Sequence, residues 1–261
     1  MPKFAANLSF LFKEGPFIER FSAAMAAGFD AVEVLFPYDE PAKDIIEVLR
    51  ITGLPMALIN TPPPNYTGGP RGFAATIGGQ ERFEHDFRRA LRFADALGAR
   101  HLHIMAGVAE GDEAHETFVQ NLTWAAGFAE DRSPERRLTI EPINTVDMPG
   151  YFLKDFDQAA QILDEVGAPN LGLQFDTYHA HKITGDMPAT WAKHGHRALH
   201  IQIADPDGRH EPVAGAIDYP AFFAQLDAEG YAGYVSAEYN PRKSTEAGLK
   251  WLKEAKAAMR A

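Results

Sequence analysis

The chain contains no cysteine in its 261 residues. That excludes disulfides, thiolate nucleophiles, cysteine-ligated zinc and iron–sulfur clusters. Positive charge is also in short supply: 25 Lys and Arg face 36 Asp and Glu, for a formal net charge of −11. An acidic chain repels phosphate backbones and anionic lipid, which argues against nucleic-acid and membrane partners. No run approaches the roughly 18 apolar residues that a membrane helix needs. The opening MPKFAANLSFLFKEG sets only a short apolar run before Lys13 and Glu14, with no cleavage-site pattern after it. It reads as a first strand, not a signal peptide, and a soluble cytoplasmic protein is expected. Low-complexity linkers and composition shifts are absent too, so one domain over 1–261 is expected. Hydrophobic residues make up 46% and charged residues 23%, the balance of a folded globular chain.

What is present is a regular alternation of short apolar runs with amphipathic segments. Candidate strands are 4–10, 31–36, 55–61, 101–107, 137–143, 171–178, 198–204 and 234–239. Candidate helices are 17–28, 41–53, 81–98, 113–131, 156–167, 187–195, 219–230 and 244–261. Phe83, Phe87, Ala90, Leu91 and Ala94 show the helical spacing well. Several helices close on glycine, at Gly28, Gly98, Gly167 and Gly230, the residue that most readily takes the left-handed stop. Eight such units in about 250 residues predict an α/β fold, a single (β/α)8 TIM barrel. A doubly wound open sheet is the alternative, but it rarely reaches eight regular units. The one long irregular piece, 61–80, leaves the end of the third strand and is a candidate lid or binding loop.

Strand residues alternate between two faces. On strands five to eight the apolar set suits the helix layer, which points Thr139, Glu141, Gln174, Asp176, His200, Gln202, Ser236 and Glu238 into the barrel. Asn7, Glu33, Asn60 and His103 follow by the same reading of the earlier strands. A lone acid at a strand end is more often an ion-pair partner or a helix cap than a ligand. Four consecutive strands repeating the pattern favour a site at the C-terminal mouth. Glu141, Asp176 and Glu238 would repel one another there unless protons or a cation neutralise them. Oxygen donors, with Gln202 adding a neutral amide, suit a hard ion: Mg²⁺ or Mn²⁺ rather than Zn²⁺. Nearby, Asp176-Thr177-Tyr178-His179 puts an imidazole in the loop after strand six. Arg209-His210-Glu211-Pro212 puts a guanidinium fork, suited to a carboxylate or phosphate, after strand seven. Each loop cluster also has an ordinary reading as a surface loop with local ion pairs. His85, His115, His194 and His196 lie in or beside helices and are expected to be solvated.

These residues lie in strings that resemble the hydroxypyruvate isomerase family of the xylose-isomerase-like TIM barrels. The strings are FAANLSFLF at 4–12, AGFDAVEVLFPYD at 27–39, IEPINTVDMPGYFL at 140–153, QFDTYHAHK at 174–182, HIQIADPDGRHEP at 200–212 and AEYNPRKSTEAGLKWL at 237–252. The resemblance runs nearly end to end. It implies that Glu141 and Glu238 are the catalytic glutamates, and that Glu141, Asp176, Gln202 and Glu238 fall on divalent-metal positions. It implies substrate contacts at His179 and Arg209. Ketose 3-epimerases usually carry histidine where this chain has Gln202. Endonuclease IV needs an Asp-Arg-His triplet where this chain has Gly208-Arg209-His210. The sister activity, 2-oxo-tetronate isomerase, shares almost every string. Glu141-Pro142-Ile143-Asn144 and Asp147-Met148-Pro149-Gly150 look more like the hydroxypyruvate enzymes.

The implied reaction converts hydroxypyruvate to 2-hydroxy-3-oxopropanoate through an enediol, with one glutamate removing a carbon proton and the other returning one. The Arg209 fork would hold the substrate carboxylate. A reading from another class is a non-catalytic sugar-acid binding barrel, which would not need two acid–base glutamates. Partners are limited to a small hydroxy-oxo acid, and a homo-oligomer is left open.

Overall fold

The computed structural model describes residues 2–61, 71–213 and 215–258. Eight strands, β1 (Lys3–Asn7), β2 (Ala31–Glu33), β3 (Leu58–Asn60), β4 (His101–His103), β5 (Arg137–Ile140), β6 (Leu171–Asp176), β7 (Ala198–Ile203) and β8 (Tyr234–Ala237), form one sheet in the order β2-β1-β8-β7-β6-β5-β4-β3. Every named pairing is parallel. The two ends also meet. Val32 bridges Met56, the Ala57 N–H donates to the Val32 carbonyl at 2.7 Å, and the Val34 N–H donates to the Leu58 carbonyl at 3.2 Å. The sheet therefore closes into the predicted (β/α)8 barrel, and closure removes the free strand edges.

Among the described residues ten α-helices surround it: α1 (Glu19–Ala27), α2 (Ala42–Thr52), α3 (Gln80–Leu97), α4 (Asp112–Arg132), α5 (Phe156–Val166), α6 (Thr177–Thr184), α7 (Met187–His194), α8 (Tyr219–Ala228), α9 (Thr245–Gly248) and α10 (Lys250–Ala258). The main core lies between helices and barrel. Phe83, Phe87, Ala90, Leu91 and Ala94 of α3 are buried there, as their spacing predicts, alongside Phe4, Val32, Leu138, Phe175, Ile201 and Val235 from the strands. Each large side chain so buried contributes about 1.5–3 kcal/mol. A second, small cluster of Ala5, Ala31, Ala57 and Tyr234 stands apart. Ala5 and Ala31 share their strand face with Asn7 and Glu33, so this cluster lies beneath the polar interior. His101 reaches the Ala57 carbonyl at 3.1 Å.

The strands end earlier than the sequence pattern predicts. Glu141 and Glu238 stand just beyond the last ladder residues Ile140 and Ala237. Alternation overruns there because the loop residues at the mouth are buried too and keep the same pattern. The segment 177–184 forms α6 where a loop is expected; its eight residues are too short for a periodic signal. His194, expected in solvent, is buried and lies 2.8 Å from Asp157 on α5. The final helix divides into α9 and α10. Most of the candidate lid, residues 62–70, lies outside the described residues, as do 259–261. No helix among the described residues is long and apolar enough to cross a membrane.

Candidate active site

The polar faces of β5 to β8 meet in a chain of side-chain hydrogen bonds across the barrel. Register sets Gln174 beside His200, and Asp176 beside Gln202. Thr139 Oγ1 donates to Gln174 Oε1 at 3.1 Å. Gln174 Nε2 then donates to Glu141 Oε2 at 3.1 Å and to Gln202 Oε1 at 2.9 Å. Gln202 Nε2 donates to Glu238 and, at 2.6 Å, to Glu33 Oε1. Asn7 Nδ2 bridges the same two carboxylates, at 2.7 Å from Glu33 and 3.2 Å from Glu238. Buried polar groups need partners because water is excluded. The layer thus fixes Glu141 and Glu238 from below.

Deeper still, His200 Nε2 lies 2.5 Å from Glu33 Oε2 with both side chains fully buried. Burial raises the Glu33 carboxyl to about 7 and lowers His200 to about 3. Between those values the pair carries one proton.

Asp176 ends β6 and caps α6. Its Oδ1 accepts the N–H groups of Tyr178 at 2.7 Å and His179 at 3.4 Å, satisfying donors that a helix start leaves orphaned. Its Oδ2 faces the mouth, 3.6 Å from His179 Nε2. The other ring nitrogen of His179 accepts the Asn144 backbone N–H at 3.3 Å. A neutral imidazole accepting at Nδ1 carries its proton on Nε2. Burial, and then Arg209, holds His179 well below the usual histidine range.

Arg209 arrives from the loop after β7 with a left-handed backbone, φ 55°. Its guanidinium lies between Phe10 and Tyr178, 5.1 and 4.9 Å from their ring centroids. Nη2 donates to Glu238 Oε1 at 2.5 Å and to Asp176 Oδ2 at 3.3 Å. Burial alone would lower its pKa, but Glu238, Asp176 and Glu141 together hold it above the ordinary value. Glu141 is pushed well above the carboxylate range by burial, then by Asp176 and Glu238. Glu238 is pushed up by burial, and Arg209 opposes this. Asp176 is raised by burial, against the pull of Arg209 and its capped N–H groups.

All six residues singled out in the sequence, Glu141, Asp176, His179, Gln202, Arg209 and Glu238, come together at one mouth. Glu141, Asp176 and His179 each offer a candidate ligand atom within 4.8 Å of the others, a group that can hold a metal ion when His179 presents an unprotonated nitrogen to it. Of the earlier strands, Asn60 lines the cavity, whereas Asn7, Glu33 and His103 lie in the layer beneath. His103 Nε2 is 3.7 Å from Glu141 Oε2 and has no hydrogen-bond partner. The cavity above measures about 490 Å³. Sequence reasoning missed the Phe10 and Tyr178 faces around Arg209 and the Asn144 hold on His179. It also missed Arg71, which lines the cavity and carries no local signal beyond its place in the 61–80 segment.

A barrel with a buried carboxylate and imidazole group at its C-terminal mouth defines an enzyme of the strand-end kind. The chain matches the xylose isomerase-like TIM barrel family over residues 21–255. It is 44% identical over 257 residues to the 2-oxo-tetronate isomerase of Cupriavidus necator, covering 97% of this chain and 98% of that one. It is 37% identical over 256 residues to the hydroxypyruvate isomerase of Escherichia coli, covering 97% and 98%. Among solved structures, one described as AP endonuclease, family 2, from Brucella melitensis superposes with a TM-score of 0.93 at 42% identity, covering 97% of this chain and 99% of that one. The chain belongs to the xylose isomerase-like TIM barrel family. It is an isomerase of that family.

Proposed function

We propose that the chain interconverts hydroxypyruvate and 2-hydroxy-3-oxopropanoate by proton transfer between Glu141 and Glu238. The observation that carries this is the pair itself. Two buried glutamates, one just past the end of β5 and one just past the end of β8, face one cavity, each pushed well above the carboxylate range by burial. A group that exchanges protons with carbon near neutral pH works best with its pKa close to that pH. The C3–H bond breaks and its proton passes to one glutamate, while the electron pair forms the C2–C3 double bond of an enediol. The other glutamate delivers a proton to C2, and the hydroxyl proton moves from O3 to O2.

The donor set fits a divalent ion: Glu141, Asp176 and Glu238 are buried carboxylates that repel one another, and the neutral amide of Gln202 stands beside them. Such an ion, Mg²⁺ or Mn²⁺, supplies Lewis-acid stabilisation of the negative charge that develops on the substrate oxygens. His179, protonated on Nε2, donates a hydrogen bond to a substrate oxygen. Arg209 holds Glu238 in place, and its charge faces the reacting end of the substrate. Its Nε is buried and unpartnered. The only partner proposed is the small acid, and the compartment proposed is the cytoplasm.

One observation favours a second substrate of the same class. Identity is higher to the 2-oxo-tetronate isomerase than to the hydroxypyruvate isomerase, and a four-carbon acid can undergo the same transfer. The endonuclease description of the Brucella structure is not carried over, because a net charge of −11 opposes DNA. The test is a turnover screen of hydroxypyruvate, 2-oxo-tetronates and neutral ketoses, with Mg²⁺ and Mn²⁺ supplied separately in D₂O. Turnover of a 2-oxo acid with deuterium entering carbon supports the reading. Binding without exchange would replace it with a non-catalytic barrel.

A further inference from the structure

We infer that Arg71 binds the carboxylate of the substrate and makes this site selective for acids. The inference rests on the proposed function for its substrate class. It starts from a conflict of charge. Glu141 and Glu238 line the reacting end of the cavity and Asp176 shares Arg209 with Glu238 there, so the substrate carboxylate is best held by a fixed cation away from that end. Arg209 is engaged: its Nη2 serves both Glu238 and Asp176. A substrate carboxylate drawn onto that nitrogen would compete with the glutamate that must stay poised for proton transfer. Arg71 lines the same cavity as Glu141 and Glu238, and among the described residues it has no ion-pair or hydrogen-bond partner.

The position of Arg71 is built, not incidental. The next residue, Gly72, pairs with Ala106 in an antiparallel bridge between the loops that follow β3 and β4. The two backbones cross so closely that a Cβ on Gly72, at φ 95°, would lie 2.1 Å from the Met105 carbonyl oxygen. A Cβ on Gly107, at φ 89°, would lie 2.3 Å from the Gly72 oxygen. Only glycine fits either place. The Ala75 N–H donates to the Ala106 carbonyl at 2.8 Å, and Asn121 Nδ2 donates to the Ala74 carbonyl at 2.8 Å. Tyr151 Oη accepts the Ala106 N–H at 2.9 Å. Burial pushes that hydroxyl's pKa up, and the nearby charge of Arg71 pulls against the rise. The clamp therefore holds the Arg71 backbone at the rim, where its guanidinium has no engaged partner among the described residues. A planar guanidinium fork matches a carboxylate at two oxygens.

The test compares hydroxypyruvate with dihydroxyacetone, which replaces the carboxylate by a neutral hydroxymethyl group and permits the same proton shift. Arg71→Ala should lower kcat/KM for hydroxypyruvate by about tenfold to a hundredfold, mainly through KM, the loss typical of a charge-assisted contact. Dihydroxyacetone kinetics should stay within about twofold, and Arg71→Lys should recover part of the loss. Glycerate, which lacks the reacting carbonyl, serves as a binding probe by calorimetry without added metal, and its affinity should fall in Arg71→Ala. An unchanged hydroxypyruvate KM with unchanged glycerate affinity overturns the inference. So does an equal loss on both substrates, which marks a structural role. If the wild type turns over no 2-oxo acid, the proposed reaction fails, and glycerate affinity alone decides whether Arg71 binds a carboxylate.

Discussion

The guanidinium of Arg209 donates to the Glu238 carboxylate at 2.5 Å, and Asp176 accepts from the same nitrogen at 3.3 Å. One residue from the loop after β7 thereby ties the end of β6 to the end of β8. Because burial drives Glu238 up and Arg209 drives it down, removing the cation should leave the carboxylate protonated to a higher pH. Arg209→Ala should therefore lower kcat by about tenfold to a hundredfold, with Arg209→Lys intermediate. The loss should persist at high salt, since a direct contact is screened far less than a distant charge. A loss that salt abolishes would make Arg209 a steering charge instead.

Glu141→Gln and Glu238→Gln should each remove nearly all turnover, on the order of 10²-fold or more. Both should stay folded, because each substitution relieves carboxylate repulsion in the buried ring. Deuterium exchange at the substrate carbon and thermal denaturation separate the two effects. Near wild-type kcat in either variant means that this glutamate handles no proton.

Extended chelation should lower melting temperature and activity together, since an ion bound only by the folded chain stabilises it by mass action. Mn²⁺ or Mg²⁺ should restore both. Crystals soaked in Mn²⁺ should show an anomalous peak beside Glu141 and Asp176. A map without one, from crystals that retain activity, removes the metal from the reading.

The barrel interior should make stability depend on pH in a particular sense. His200 is lowered from 6.5 to about 3 by burial, so below about 6.5 the unfolded chain binds a proton that the folded chain refuses. Stability falls as pH drops through that window. Glu33 acts in the opposite sense. Raised from 4.5 to about 7, chiefly by burial, it holds a proton in the fold that the unfolded carboxylate lacks, and this contribution is lost as pH rises to 7. The two cancel between about 4.5 and 6.5. Glu33→Gln removes only the compensating half, so its denaturation free energy should fall more steeply over that range than the wild type's, by about one additional proton. Equal slopes would mean that Glu33 stays ionised in the fold.

The class of fold and the inward ring were written locally. Alternation at Leu138 to Glu141 and Leu173 to Asp176 needs only the period of a strand, and helical spacing in α3 needs only its own turn. Eight such units leave few alternatives to a closed barrel, and the lack of cysteine fixed the donors as oxygen and imidazole. Closure decided the rest. That Arg209 would meet Glu238 depends on how the loop after β7 folds back over the mouth. The pairing of Glu33 with His200 joins residues 167 positions apart. Neither separation leaves a periodic trace. Asp176 reads locally as a strand residue, yet its first duty is to cap α6, a helix too short to announce itself. Arg71 is legible only in three dimensions, because the crossing of Gly72 and Gly107 that sets it at the rim is a contact between two loops. Their sequences show glycine, but not what each glycine must avoid.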